Sequence, residues 1–200
     1  AGKYGYLVVD PVTGKYTYTL YNGENGEPGP VQNLAAGQTV EETFDVMLNG
    51  KLTGAEIKIT IHGTNDKPVI GAYEKLTVQE GEKGLDNLTA TGTLKAYDID
   101  TLLDENGNPV RNDDESVQTE TETLKYYFLD KDGNKTDTLE TEYGTVTLTY
   151  DSKGNCTYTY TIDGDRLPEG KQHLTAGESL TDSFTIYVRD ENGAVTEQKI

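Results

Sequence analysis

The sequence predicts an all-β protein of antiparallel β-sandwich architecture, and three observations predict it. Short blocks alternate β-branched or aromatic residues with polar ones at period two, the pattern of half-buried strands. Gly-bearing turns separate the blocks. One long segment occurs twice at a fixed offset, so the repeated unit is of domain size.

The elements follow in chain order. "YGYLVV" from Tyr4 and "YTYTL", Tyr16 to Leu20, flank the turn "VTGK" and read as a hairpin. Successive side chains of a strand alternate faces, so Tyr16 and Tyr18 share a face that packs inward more readily than the Thr17 and Thr19 face. "LAAGQT" and its later counterpart "LTAGES" have room for one helical turn each. "IKITI" closes the first block. The stretch "HGTNDKPVIG", His62 to Gly71, then places Gly63, Asn65, Asp66 and Pro68 where they interrupt regular structure. A bare spacer needs only Gly and Ser, so an Asn-Asp pair beside a Pro points to side chains that matter. Beyond this joint come "TVTLTY", "CTYTYTI" and "FTIYV", broken by "KDGN", "SKGN" and "ENGA". No segment carries a helical period.

The repeat sets the domain organisation. Gly14 to Leu48 lies without gaps over Gly154 to Val188, matching Tyr18 with Tyr158, Pro28 with Pro168, Leu34 with Leu174, Gly37 with Gly177 and Phe44 with Phe184. Just before, "YGYLVV" at Tyr4 answers "YGTVTL" at Tyr143. Residues 1–65 therefore read as the C-terminal part of a first sandwich repeat, and 66–200 as a second, nearly complete one. The first piece, with about four strands, is marginal alone. Either it packs on the second unit or its missing strands belong to residues upstream. On this alignment Cys156 takes the place of Tyr16, on the row of Tyr158 and Tyr160, which predicts a buried thiol. As the single cysteine it forms no internal disulfide.

Composition narrows the function. Of 200 residues, 35 are acidic and 17 basic, a formal charge of -18 that repels phosphate backbones and anionic lipid and favours cations. Nucleic acid is an unsuitable partner. No apolar run approaches the roughly 20 residues that span a bilayer, and "AGKYGYLVVD" lacks a signal core, so a mature protein or a piece of a longer one is expected. His62 and His173 are the only histidines and have no Ser or Cys placed as a nucleophile, which argues against an enzyme. Sugar sites present exposed aromatics, yet Trp is absent and most of the 14 Tyr fall on alternating strand positions. Adjacent Tyr126 and Tyr127 must face opposite sides, so one of them is a candidate for exposure.

"YGYLVVD", "GKYTYTL", "VQNLAAGQTVEETFDV" and "IKITIHGTNDKPV" occur in this order, with a Tyr-Gly opening, a Gly-x-Tyr-x-Tyr strand, a Leu-x-Ala-Gly segment leading to Phe, and a Gly-x-Asn-Asp-x-Pro ending. In this the chain resembles the VCBS-type, cadherin-like tandem repeats of large RTX-like bacterial surface adhesins, closely over residues 4–68 and more loosely over 74–200. The insert "DTLLDENGNPVRNDDESVQTETET" is longer and more acidic than the pattern usually allows. The resemblance implies an Ig-like β-sandwich strung in tandem outside the cell, on a bacterial surface or secreted, with neighbouring repeats as partners and calcium at the joints. A glycan- or protein-binding module acting through the insert, about 101–123, is the alternative.

Calcium takes six to eight hard oxygen ligands, and the chain offers Asn65 and Asp66, Asp98 and Asp100 in "DID", and Asp190 in "RDENG". In a cadherin-like sandwich the Asp-x-Asp loop and the last hairpin open at the end where the linker enters, so the resemblance implies that Asn65, Asp66, Asp98, Asp100 and Asp190 converge. The competing reading makes each a turn former in an acidic chain. Glu80 in "TVQEGE" matches a position that serves a neighbouring joint. "DKDGN" puts its Gly too early for an EF-hand loop, so Asp130 and Asp132 read as a hairpin turn, and "NDDE" at Asn112 as a solvated loop.

Overall fold

A computed structural model describes the 200-residue chain apart from residues 25–26, 80–83, 86–87, 152–154 and 172 and the side chain of Glu27. It divides into two compact units, Ala1–Asp66 with Ile99–Thr119, and Lys67–Asp98 with Glu120–Ile200. Residues 99–119, expected within the second unit, group with the first. Thr101 there donates its N–H and its hydroxyl to the Asn33 carbonyl, at 3.2 and 2.7 Å. No helix among the described residues is long and apolar enough to cross a membrane.

The first unit is built of hairpins. Strand β1 (Gly5–Val9) pairs antiparallel with β2 (Tyr16–Leu20), and the short β3 (Gly23–Glu24) with β4 (Glu27–Pro28). A single 3-10 turn forms at Pro30–Asn33, just ahead of "LAAGQT", which itself makes a tight turn through Gly37 at φ +80°. The long β5 (Thr39–Leu48) and β6 (Lys51–His62) then pair from Thr39 opposite His62 to Leu48 opposite Lys51. The buried Glu42 on β5 accepts hydrogen bonds from the Tyr18 hydroxyl and from the N–H groups of Lys3 and Tyr4. Burial pushes this carboxyl up, and those donors outweigh it and hold it below the usual range.

The second unit is a β-sandwich. It comprises β7 (Val69–Tyr73), β8 (Thr89–Tyr97), β9 (Lys125–Leu129), β10 (Lys135–Thr136), β11 (Thr138–Glu140), β12 (Gly144–Tyr150), β13 (Asn155–Ile162), β14 (Thr185–Arg189) and β15 (Val195–Lys199). One sheet runs β11-β12-β13-β8-β7 and the other β10-β9-β14-β15. Every second residue of β13, from Cys156 to Ile162, is buried, as the period-two pattern requires. The two inner faces meet in one core, with Leu94, Val146 and Tyr158 from the first sheet and Tyr126, Phe128, Ile186 and Val188 from the second. Phe184 stands edge-on to Phe128 and Tyr158, at 5.9 and 5.8 Å. Burying each such side chain stabilises the fold by about 1.5–3 kcal/mol. Tyr126 and Tyr127 do take opposite faces, yet both are buried, because Tyr127 stacks on Tyr187 at 5.5 Å under the Lys135 ammonium.

Strand registers correct the gapless alignment by two residues. Gly5 faces Leu20 in the first unit and Gly144 faces Ile162 in the second, so Tyr18 corresponds to Tyr160 and Tyr16 to Tyr158. Cys156 therefore does not occupy the Tyr16 place, although its inward face is as expected. The carboxylate tie recurs as well: Asp182 Oδ2 accepts from the Tyr160 hydroxyl and the Tyr143 N–H, at 2.6 and 3.0 Å. The Tyr-Gly opening has a steric cause. A Cβ on Gly5 would collide with the Thr19 carbonyl and the Tyr18 ring, and one on Gly144 with the Thr161 carbonyl and the Tyr160 ring. In the first unit Tyr16 is exposed.

Two outcomes follow. Burial pushes the Cys156 thiol up to about 12, so a thiol reagent at neutral pH should react slowly with the folded protein and rapidly in denaturant; equal rates would refute the core placement. Gly144→Ala should lower stability by about 1–3 kcal/mol in a denaturant titration, because a backbone carbonyl cannot yield to the added methyl. An unchanged midpoint would contradict the close packing.

Candidate metal centre

Three carboxylates meet in the second unit. Asp98 follows the last residue of β8, Glu120 opens the 3-10 turn Glu120–Thr123 ahead of β9, and Asp190 follows β14. Ligand oxygens from the three lie within 4.8 Å of one another. All are buried, with exposures of 3, 4 and 1 % for Asp98, Glu120 and Asp190.

Local chemistry fixes each one. The Asp98 N–H donates to the Thr121 hydroxyl at 2.7 Å, and that hydroxyl donates back to the Asp98 carbonyl at 2.9 Å, which locks the end of β8 to the 3-10 turn. Asp190 heads the β14–β15 hairpin turn: its N–H donates to the Ala194 carbonyl at 3.1 Å, and its Oδ1 accepts from the N–H groups of Gly193 and Ala194 at 2.6 and 2.8 Å. The turn needs Gly193 at φ +101°, a backbone conformation that favours glycine. From the same turn, the Asn192 amide donates to Glu120 Oε1 at 2.8 Å.

The energetics of this arrangement are severe. Like charges about 4.8 Å apart repel by about 3.5 kcal/mol per pair at an effective dielectric near 20. Burial removes the water that would screen them. The donor set is all oxygen, without His or Cys, which suits a hard divalent cation such as calcium better than zinc or copper. Asp98, Glu120 and Asp190 are the residues that would hold such an ion.

The five residues singled out in the sequence are divided between the units. Asp98 and Asp190 come together in the second. Asn65, Asp66 and Asp100 belong to the first, where the Asp66 N–H donates to Oδ2 of the fully buried Asp100 at 2.8 Å and the Asn65 amide donates to the Asp66 carbonyl at 2.6 Å. Glu120 escapes sequence reasoning because "QTETET" offers alternating acids and threonines with nothing to choose between them; burial separates Glu120 from the exposed Glu122. Glu80 lies outside the described residues.

The remaining acids behave as turn formers. Asp130 Oδ1 accepts from the N–H groups of Asp132 and Asn134 at 2.9 and 2.8 Å, and the Asn134 N–H, chief among these donors, keeps its carboxyl below the usual range. Asp104 does the same for Asn106 and Asn108, and Asp114 for Ser116, all on exposed chain. His62 lies on β6 with Nδ1 3.2 Å from the Thr39 hydroxyl, and His173 lies in an exposed loop. No family model, curated protein or solved structure matches this chain.

Proposed function

We propose that this chain is a spacer segment of a bacterial cell-surface or secreted adhesin, made of tandem cadherin-like sandwiches and stiffened by calcium, whose local work is mechanical: to project a distant binding end. The observation that carries the reading is the buried triad of Asp98, Glu120 and Asp190. It joins strand ends from both sheets, since β8 belongs to one and β9 and β14 to the other. It also sits where the chain enters the sandwich, because Val69 pairs with Tyr97, the residue before Asp98. An ion at that place clamps the two sheets at the entry point, and Pro68 already limits the backbone there. The Thr196 hydroxyl adds a hydrogen bond to the Pro68 carbonyl at 2.5 Å. The domain-sized repetition in the sequence and a polar insert without any aromatic residue favour a spacer over a sugar-binding module. Extracellular calcium is abundant enough for a weak site of this type to fill.

The test is a set of melting curves with chelator and with calcium, on the parent and on Glu120→Gln. Gln keeps an oxygen for the Asn192 amide and removes one charge. In chelator the variant should melt above the parent, since one carboxylate fewer is held at close range. Calcium should raise the melting temperature of the parent, by the equivalent of about 2.7 kcal/mol at a hundredfold excess over the dissociation constant, and should act weakly on the variant. A parent indifferent to millimolar calcium would sink the proposal, and an equal rise in both proteins would place the ion elsewhere.

A further inference from the structure

One sheet face of this acidic chain carries the opposite sign. In the sheet β10-β9-β14-β15 the core takes Tyr126 and Phe128 from β9 and Ile186 and Val188 from β14. Strand alternation therefore turns Lys125 and Arg189 outward, and the ladder sets Lys135, opposite Leu129, and Lys199, opposite Thr185, on the same outer face. Glu197 is the one acid among the strand residues of that face. Lys125 and Arg189 stand directly opposite each other, an arrangement that costs stability for like charges. None of the four cations is in an ion pair among the described residues, although the chain has 35 acids for 17 bases. Two of them are held in place. The Lys135 ammonium lies 4.4 Å from the centre of the Tyr127 ring, which stacks on Tyr187 at 5.5 Å. The Arg189 guanidinium reaches the β14–β15 turn, where a Cβ on Gly193 would meet its Nη2 at 3.4 Å.

The complement to this face is the insert, 99–119. It exposes Asp104 and Glu105 at one turn and Asp113, Asp114 and Glu115 at the next. The second of these is the only run of three consecutive acids in the sequence. Arg111, the single cation of the insert, is turned back on the loop and donates from Nη1 to the Glu115 carbonyl at 2.6 Å. The tip is ordered by its own bonds: the Asn112 N–H donates to the Ser116 carbonyl at 2.9 Å, the Glu115 N–H to the Asn112 carbonyl at 3.0 Å, and the Gln118 amide to Asn112 Oδ1 at 2.8 Å. Such ordering lowers the entropy lost on docking. The Ser116 hydroxyl, first among its donors, holds the Asp114 carboxyl below the usual range, so the tip stays charged in mildly acidic solution.

We infer that the face of Lys125, Lys135, Arg189 and Lys199 receives the acidic insert of a second copy of this chain. The acids of the insert enter between cations that repel one another when bare, and relieve the Lys125–Arg189 opposition. The contact is heterologous: each copy offers one face and one insert, so copies join face to insert rather than through one self-matching patch. Exposed ion pairs are individually weak, and the contact acts where copies are anchored side by side and their effective concentration reaches about millimolar. Repulsion between two chains of charge -18 is screened beyond about 8 Å at physiological salt, while groups in contact keep their attraction. The inference does not rest on the metal centre, so failure of one leaves the other standing.

The experiment is sedimentation equilibrium of the full chain at physiological salt, up to about 1 mM. The parent should self-associate as its concentration rises. Two double variants should each associate at least about tenfold more weakly: Lys125→Glu with Arg189→Glu, which reverses the face, and Asp113→Lys with Glu115→Lys, which reverses the tip. Three of these side chains are exposed and Arg189 is half-buried, and melting curves verify that both variants are folded. Mixing the two variants should restore association, because the acidic insert of the first meets the basic face of the second. A parent that stays monomeric, variants that associate as the parent does, or a mixture no more associated than its separate components overturns the inference.

Discussion

Three buried carboxylates within 4.8 Å impose the constraint on which the account depends. None of them is there by accident of an acidic composition. Asp190 must begin a tight hairpin turn, Asp98 must end β8 against Thr121, and Glu120 must start the turn that leads into β9. Each local solution is inexpensive by itself, and the sandwich brings all three together where water is scarce. Under the proposed function a hard cation offsets that repulsion, in keeping with an all-oxygen donor set at the entry of the sandwich.

A second carboxylate motif organises each unit more quietly. Glu42 and Asp182 stand at equivalent places and receive a Tyr hydroxyl from one strand and a backbone N–H from the start of another. The pair of donors ties the Tyr-Gly hairpin to the segment that carries the acid, β5 for Glu42 and the chain just before β14 for Asp182. Burial raises the carboxyl of Asp182, and the hydroxyl of Tyr160 followed by the amide of Tyr143 more than compensates, so it stays below the usual range. The tie therefore persists down through mildly acidic solution and weakens only when that lowered value is crossed.

Much of the architecture was legible in the sequence because period-two patterning is a direct consequence of strand geometry: the buried row of β13 and the turns at Gly14, Gly133 and Gly193 follow from it. The register was not. A gapless match aligned Tyr18 with Tyr158, whereas Gly5 and Gly144 fix the pairing two residues away through steric contacts that a linear comparison does not weigh. The site was half legible. Asp98 and Asp190 stand out by their turn contexts, while Glu120 is one acid among several, and its burial comes from packing between distant segments. Tyr127 was open to exposure on alternation alone and is covered by a cross-strand neighbour, Tyr187, that alternation cannot name.

The most direct measurement is a crystal structure of the chain grown with calcium and examined for anomalous signal. The account predicts one ion bound by carboxylate oxygens of Asp98, Glu120 and Asp190 at about 2.3–2.6 Å. Carboxyl groups hydrogen-bonded to each other with no ion between them, at saturating calcium, would contradict it.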